Sequence, residues 1–374
     1  MPETVYSAGN PGELPEIIDF INYVFSQAAR PHDFKTLLPK VYADGACSGA
    51  EGFHFLARQS GRIVGCVACR PTRMIYGAHA LSCGYVGSVS VHPYHRSEGH
   101  MKRLMRDMLA SSRAGGADML ILGGQRQRYE YFGFENAGAV YRFSVSRRSV
   151  RHALPDADVS RVSFAEMREG DVPFALVIYN AQRVHALRHA EGFMYDLRSW
   201  GETPYILSLD SAPVGYMAGG EIVLKDESAL PTIAAALLER QNASSVEFSV
   251  PPCDKQRIRL LRPLCDVVSL SRCEMINVFR WENVLPALME LKGDALEDGR
   301  RALDIEGDGV YDVTVQNGSV CVTKLYAAPG GAVKLSHLDA QRAFFSLPGL
   351  YDDIADIPQS WRALPFFISP QDCF

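Results

Sequence analysis

The stretch Val86–Met105, VGSVSVHPYHRSEGHMKRLM, constrains the fold more than any other part of the sequence. Its first residues alternate between valine and serine, which is typical of a strand, and Pro93 ends that strand because proline donates no ladder hydrogen bond. After a short polar turn, apolar residues recur at helical spacing from Met101 onward. This order of strand, tight turn and amphipathic helix predicts a βα unit of an α/β protein.

The turn between this strand and this helix has the character of an anion-binding site. The first turn of a helix exposes unpaired backbone N–H groups and the positive end of the helix dipole. Gly99 lets a ligand approach the backbone closely, while Arg96, Lys102 and Arg103 add positive charge. A pyrophosphate is the natural ligand for such groups, and an ordinary βα unit without a ligand is the alternative. The sequence contains neither a G-x-x-x-x-G-K-[ST] phosphate loop nor a G-x-G-x-x-G after a strand.

Composition places the chain among ordinary globular proteins. It has 374 residues, 47% of them hydrophobic, which is enough for two or three domains with real cores. A net charge of −5 argues against a nucleic-acid scaffold. The net charge is locally positive, because five arginines and no acidic residue lie between Glu51 and Glu98. Such a region suits a polyanionic ligand.

Cysteine usage and hydropathy bear on the location of the protein. An odd count of nine cysteines without a regular framework indicates a reducing compartment, so a cytoplasmic location is expected. The acidic N-terminal segment does not resemble a signal peptide, and no apolar run reaches the length of a membrane span. We expect no metal, because Cys66-x-x-Cys69 has no second pair and the acidic residues 304–308 lack the spacing of a calcium loop.

Turn signals predict three hairpins along the chain, at Gln59-Ser60-Gly61, Asp210–Pro213 and Asn317-Gly318. In addition, separate strands are predicted over residues 63–68 and 72–75, and a helix over residues 174–188.

The segment Arg96-Ser97-Glu98-Gly99-His100 resembles the coenzyme A motif [RQ]-x-x-G-x-[GA] of the GNAT N-acetyltransferases. Met101 stands where glycine or alanine is usual. That departure is similar to the branch of the mycobacterial enhanced-intracellular-survival acetyltransferases, in which H-R-x-x-G is followed by two bulkier residues and a basic one.

This resemblance implies an α/β (α+β) chain in three parts. They are a catalytic GNAT domain over residues 1–148, a degenerate GNAT-like domain over 149–275, and a sterol-carrier-like domain over 276–374 that delivers the C-terminus. For the second part, an unrelated α/β domain is the alternative.

The same resemblance implies acetyl-CoA as co-substrate, without a metal, and a primary amine of a small molecule or peptide as acceptor. Backbone groups of one strand would hold the pantetheine and the acetyl carbonyl, the turn would hold the pyrophosphate, and the exit of the next strand would flank the pantetheine. These three groups of cofactor-binding residues are Val89, Ser90 and Val91; Arg96, Ser97, Glu98, Gly99, His100, Met101 and Lys102; and Gly124 and Gln125.

Tyr129 is the candidate general acid. GNAT proteins commonly carry a tyrosine four residues before the glycine of a closing Gly-Phe, and Tyr129 and Gly133 have that spacing. In such enzymes the hydroxyl lies near the thioester and can protonate the departing thiolate. The alternative is that Tyr129 is a core aromatic, and Tyr131 has the same chemistry but the wrong spacing.

The candidate general base is the terminal carboxylate of Phe374. Residues 53–97 contain no aspartate or glutamate, so the central strands offer no carboxylate. His92, His95 and His100 flank the turn, but structural or solvated roles suit the first two equally well. In the branch that the sequence resembles, the base is the carboxylate of the last residue. The tail here, Trp361–Phe374, is apolar and is expected to dock, with mere packing as the alternative.

A different class of protein competes with the acetyltransferase: a carrier or sensor that holds coenzyme A or a lipid without turnover. The apparent presence of both Tyr129 and Phe374 favours an enzyme. The sequence leaves open the identity of the amine, the range of acyl groups, any lipid role of the last domain, and the oligomeric state, including a homo-oligomer.

Overall fold

A computed structural model describes residues 3–27, 30–45 and 49–374. The strands are β1 (Thr4–Ala8), β2 (His54–Gln59), β3 (Arg62–Tyr76), β4 (His79–Val91), β5 (Met119–Leu122), β6 (Glu135–Ala137), β7 (Val140–Ser146), β8 (Val162–Glu166), β9 (Val184–Ala186), β10 (Tyr205–Leu209), β11 (Ala212–Ala218), β12 (Glu221–Leu224), β13 (Ser245–Val250), β14 (Cys265–Ser271), β15 (Glu274–Val278), β16 (Gly299–Ile305), β17 (Gly309–Gln316), β18 (Ser319–Leu325) and β19 (Val333–Leu335). The helices are α1 (Leu14–Ser26), α2 (Phe34–Leu37), α3 (Pro39–Tyr42), α4 (His100–Ala114), α5 (Arg126–Tyr129), α6 (Arg147–Ala153), α7 (Val172–Asn180), α8 (Phe193–Arg198), α9 (Leu230–Arg240), α10 (Lys255–Leu261), α11 (Trp281–Met289) and α12 (His337–Phe345).

The largest sheet has the strand order β1-β2-β3-β4-β5-β15-β6, with β9 pairing on β3. The apolar face of α4 packs on one side of this sheet, and α1 with α2 and α3 packs on the other. Cys66 and Cys69 belong to these two opposite cores, so they do not face each other. Strand β15 pairs with β5 and β6 in this sheet, although it lies beyond residue 148 in the sequence. The domain boundaries at residues 148 and 275 stay predictions.

Strands β4 and β5 separate halfway along the sheet. They pair in parallel only as far as Val86 and Leu122, and β4 then continues without β5 to Val91. Just past this point β4 contains a bulge, in which Ser88 and Val89 lie opposite the single residue Val67. A bulge leaves backbone groups unpaired and bends the strand, and this one lies just beyond the point where β4 and β5 separate.

Three smaller sheets complete the fold. Their strand orders are β12-β11-β10-β8, β13-β7-β14 and β18-β17-β16-β19. Strand β7 follows the large sheet in sequence but pairs with β13 and β14 instead of joining it. The whole is a mixed α/β fold with several sheets, and none of the described helices has the length and apolar character needed to cross a membrane.

The three predicted hairpins are confirmed. Each has a two-residue turn in which both residues have positive φ, the geometry that matches the twist of paired strands. These turns are Ser60-Gly61, Asp210-Ser211 and Asn317-Gly318.

Two predicted elements differ from the structure. Strand β3 runs unbroken through Pro71, because β2 pairs with β3 only as far as Ala68 and a proline needs no partner on the free side. The helix predicted over residues 174–188 ends at Asn180, because the following residues 184–186 form β9 on the edge of the large sheet.

Candidate active site

The predicted anion-binding turn has the expected geometry. Gly99 is the N-cap residue of α4 with φ +87°, a conformation that glycine adopts without strain. No side chain caps α4, so the backbone N–H groups of its first turn are available to an anion. Arg96, Ser97 and Glu98 are exposed beside it. The local chain therefore presents a positively charged helix start to solvent.

Two predicted cofactor-binding side chains in this turn, those of Glu98 and His100, contact other side chains of the protein. The buried His100 ring contacts the Tyr6 hydroxyl at 2.8 Å and the Glu98 carboxylate at 3.0 Å. Glu98 also accepts from Gln59 at 3.0 Å. Only the backbone groups of Glu98 and His100 are then free for a phosphate. Ligand atoms of His95, Glu98 and His100 lie within 4.8 Å of one another, a spacing compatible with a metal that the sequence did not suggest.

The predicted pantetheine contacts lie on the two arms of the opening between β4 and β5. Val89, Ser90 and Val91 follow the bulge on one arm. On the other arm, Gly124 follows β5 with φ +144°, and a Cβ there would lie 2.9 Å from the Tyr129 ring. Glycine is thus required at position 124, and Gln125 comes next on the exposed side.

Tyr129 lies at the end of α5, between the core and the opening. Its ring packs with Val86, Leu122 and Phe134. Within the described residues its hydroxyl has no hydrogen-bond partner, and burial raises the pKa of Tyr129. The phenol is therefore protonated at neutral pH, as a general acid must be. Tyr131 is instead exposed and accepts from Arg106 at 3.0 Å.

The last residue of the sequence lies against the bulge of β4. The Phe374 ring covers Gly87, where any Cβ would overlap it. It stands edge-on to Tyr85 and stacks on Tyr42, each with 6.4 Å between ring centroids. The predicted docking of the tail is confirmed.

A small cavity of about 130 Å³ lies beside this ring. Its lining is mostly apolar and aromatic, and its polar members are the Ser88 hydroxyl and the side chains of Arg30 and His32; the remaining lining residues are Phe25, Phe34, Leu37, Leu38, Trp200 and Phe374. The cavity is on the α1–α2 side of the large sheet, whereas the start of α4 is on the other side.

Lys40, on α3, forms hydrogen bonds with the backbone of the C-terminal tail. Its ammonium group donates to the carbonyl oxygens of Gln371 at 2.6 Å and Cys373 at 2.5 Å. Lys40 is buried in α3, and this burial lowers its pKa to about 8.

Arg188 holds the tail from the other side. Its guanidinium pairs with Asp372 at 2.9 Å and with both carboxylate oxygens of Glu221. The Tyr179 hydroxyl donates to Asp372 at 2.6 Å. All four side chains are buried, so they fix the position of the tail two residues before Phe374. Because Arg188 and Asp372 are far apart in sequence, no local pattern signals this pairing.

The depressed pKa of Lys40 predicts a pH-dependent contribution to stability. Its ordinary pKa is 10.5 and its folded value is about 8, so between these pH values the unfolded chain binds more protons. The free energy of unfolding of the native protein should therefore rise relative to a Lys40→Met variant across this range, by at most about 1.4 kcal/mol per pH unit. Urea unfolding of both proteins at pH 8, 9 and 10 measures the difference, and parallel pH curves would contradict it.

The sequence matches a known family over most strands of the large sheet, though not over β9 and β15. Residues 6–137 match the family model described as Acetyltransferase (GNAT) domain. Among curated proteins, none matches this sequence significantly.

Solved structures resemble the chain over its full length. A GCN5-related N-acetyltransferase from Kribbella flavida has a TM-score of 0.70 and 15% identity, over 100% of this chain and 99% of that one. A GCN5-related N-acetyltransferase from Anabaena variabilis has a TM-score of 0.69 and 15% identity, over 99% and 98%. Eis1 from Mycobacterium abscessus has a TM-score of 0.67 and 14% identity, over 100% of both chains. At these identities the likeness shows the fold.

The match of residues 6–137 to this domain supports an acyltransferase, and the uncapped helix start and the divergence of β4 and β5 both lie within the matched residues. More particularly, the chain carries a GNAT acetyltransferase domain at residues 6–137.

Proposed function

We propose that the protein is an N-acetyltransferase that transfers acetyl from acetyl-CoA to a primary amine by direct attack. One observation carries this proposal: the docked Phe374 lies against the β4 bulge, at the opening whose other arm carries Tyr129. A non-catalytic carrier would not need an acid and a base at the two arms of its cofactor cleft.

The cofactor site follows from the turn and the opening. The pyrophosphate would bind the backbone N–H groups at the start of α4, with Arg96 and Lys102 supplying charge. The pantetheine would extend between Val89–Val91 and Gly124–Gln125, where the bulge leaves backbone groups unpaired. Glu98 and His100 would contribute backbone groups only, because their side chains contact each other.

The reaction needs a base, an acid and an aligned carbonyl. The amine nitrogen attacks the thioester carbon, and the carbon–sulfur bond breaks as the tetrahedral intermediate collapses. In a chain that ends at Phe374, its α-carboxylate takes the proton from the amine, directly or through a water. Tyr129 gives its proton to the departing thiolate. An α-carboxyl has an ordinary pKa of about 3.3–3.7, so it is ionised at neutral pH.

The remaining parts would support this site. The β10–β11 hairpin followed by α9 repeats the order of the β2–β3 hairpin and α4, which supports a degenerate GNAT-like domain over residues 149–275. The sheet β18-β17-β16-β19 with α11 and α12 supports a sterol-carrier-like domain over residues 276–374. That last domain would deliver the tail to the bulge.

A screen of amines tests the function. Acetyl-CoA is incubated with the protein and with aminoglycosides, polyamines, peptide amines or lysine, and free thiol is measured. We expect amine-dependent thiol release and an acetylated product by mass spectrometry. Tight binding of acetyl-CoA with no amine-dependent release across the panel would favour the carrier instead.

A Gly99→Glu substitution should weaken acetyl-CoA binding sharply. The added carboxylate would meet the phosphates at the helix start, where like charges repel. Calorimetry measures the affinity, with Gly331→Glu as the control. Gly331 has φ +82° and an open surrounding like Gly99, so the control introduces the same backbone strain elsewhere. Equal affinity of the two folded variants would overturn the placement of the pyrophosphate.

A further inference from the structure

A buried chain of hydrogen bonds ends at the β4 bulge. The His54 Nδ1 atom lies 2.7 Å from the carbonyl oxygen of Ala50. The Tyr42 hydroxyl lies 3.1 Å from His54 Nε2 and 2.8 Å from the Ser88 hydroxyl. Tyr42 and His54 are fully buried, and Ser88 is 8% exposed.

The Ala50 carbonyl oxygen, at one end of this series of hydrogen bonds, fixes which atom donates in each of them. A carbonyl oxygen only accepts, so His54 Nδ1 carries the proton that is donated to Ala50. Burial lowers the pKa of His54 to about 4, so the ring is neutral and its Nε2 atom accepts.

Tyr42 has one hydroxyl proton and must give it to His54. Ser88 must then give its own proton to Tyr42. The Ser88 oxygen therefore keeps only lone pairs for any further partner.

Ser88 is also held at the place where an acceptor would react. It lines the small cavity next to the Phe374 ring. Its φ of +50° is rare for a serine, and the Ser90 hydroxyl donates to its carbonyl oxygen at 3.0 Å. The bulge thus places this hydroxyl beside a cavity whose lining is apolar and aromatic except for Arg30 and His32.

We propose that Ser88 is a hydrogen-bond acceptor for the N–H of the acceptor amine, and that Tyr42 and His54 are positioning residues that keep its lone pairs turned to the cavity. This inference rests on the proposed function and names the class of acceptor. The amine is primary and unhindered and is borne on a slender apolar arm, because the cavity has only about 130 Å³ and aromatic walls. The aromatic walls attract an ammonium ion through cation–π contacts, whereas the positive charge of Arg30 in the same lining opposes it.

Substitution of Ser88 tests the contact with n-propylamine as the probe. Ser88→Ala removes the oxygen and keeps a residue that tolerates the backbone about as well as serine does. A lost hydrogen bond to a charged group typically corresponds to about a tenfold to hundredfold change. We expect the KM for n-propylamine to rise by that factor, with the affinity for acetyl-CoA unchanged by calorimetry.

Tyr42→Phe tests the positioning chain. It leaves Ser88 in place but frees its proton to rotate into the cavity, so KM should rise while kcat stays within about twofold of its native value. Tyr76→Phe is the matched control. Tyr76 is a buried tyrosine at the last position of β3, far along that strand from the bulge. Its hydroxyl has no hydrogen-bond partner among the described residues. Its removal should leave the KM for n-propylamine unchanged.

The outcomes separate this inference from the function on which it rests. If the native protein acetylates n-propylamine and Ser88→Ala leaves its KM unchanged, Ser88 does not bind the amine. If no amine is acetylated, calorimetry of n-propylamine against the coenzyme A complex decides. If the native protein binds n-propylamine and Ser88→Ala does not, the contact with Ser88 is supported although the proposed transfer reaction is wrong. If the native protein does not bind n-propylamine, the contact with Ser88 is wrong as well.

Discussion

Replacing Tyr129 with phenylalanine is expected to lower kcat by about 10²–10⁴-fold, the usual effect of removing a positioned acid. The substitution keeps the ring that packs with Val86, Leu122 and Phe134, so the fold should not change. It removes only a hydroxyl group that has no hydrogen-bond partner in the described part of the chain. Steady-state kinetics with a substrate amine measure kcat, and calorimetry should show unchanged affinity for acetyl-CoA.

Tyr131→Phe is the control for this result. Tyr131 is two residues away and exposed, and its hydroxyl accepts from Arg106 on the surface of α4. We expect near-native kcat from this variant. Native activity in Tyr129→Phe together with loss in Tyr131→Phe would assign the acid to Tyr131.

Adding one glycine after Phe374 is expected to reduce kcat by a similar factor of about 10²–10⁴, because the carboxylate would move by about 3.3–3.6 Å. Lys40 and Arg188 hold residues 371–373 in place, so the tail cannot slide back to compensate. Every side chain is retained, and the Phe374 ring still covers Gly87. Thiol release in the presence of amine measures the loss.

A semisynthetic chain ending in a Phe374 amide separates charge from position. The amide has the shape of the carboxylate, but it is neutral and cannot take up a proton near pH 7. It should lose activity like the extended chain and bind acetyl-CoA like the native protein. Full activity in both proteins would exclude the carboxylate as base and direct attention to His92, His95 and His100.

Sequence reasoning reached the features that are local in the chain. The helix start at Gly99 was predictable because strand, turn and amphipathic helix are contiguous, and the structure has an uncapped α4 there. The hairpin at Asn317-Gly318 was predictable for the same reason. The docking of the tail followed from its apolar composition, since an exposed aromatic end would be unfavourable.

The features that sequence reasoning missed depend on residues far apart. His54, Tyr42 and Ser88 come from three different elements, so no motif connects them. The hydrogen bond that Glu98 accepts depends on Gln59, which β2 brings beside the helix start. Strand β3 can continue through Pro71 because β2 stops pairing with it at Ala68. That end point depends on the neighbouring strand and is not encoded in the sequence of β3.

The contacts of Lys40 and Arg188 with the tail have a consequence for the stage of folding at which activity would appear. Lys40 lies near the start of the sequence and Arg188 near its middle, and both bind residues 371–373. The start of α4 and the opening between β4 and β5 contain no residue of the tail, whereas the proposed base at Phe374 would reach the opening only when these distant parts of the chain have assembled. For a chain that ends at Phe374, catalytic competence would then depend on a docked tail, and a variant truncated before Phe374 is expected to bind acetyl-CoA without acetylating amines.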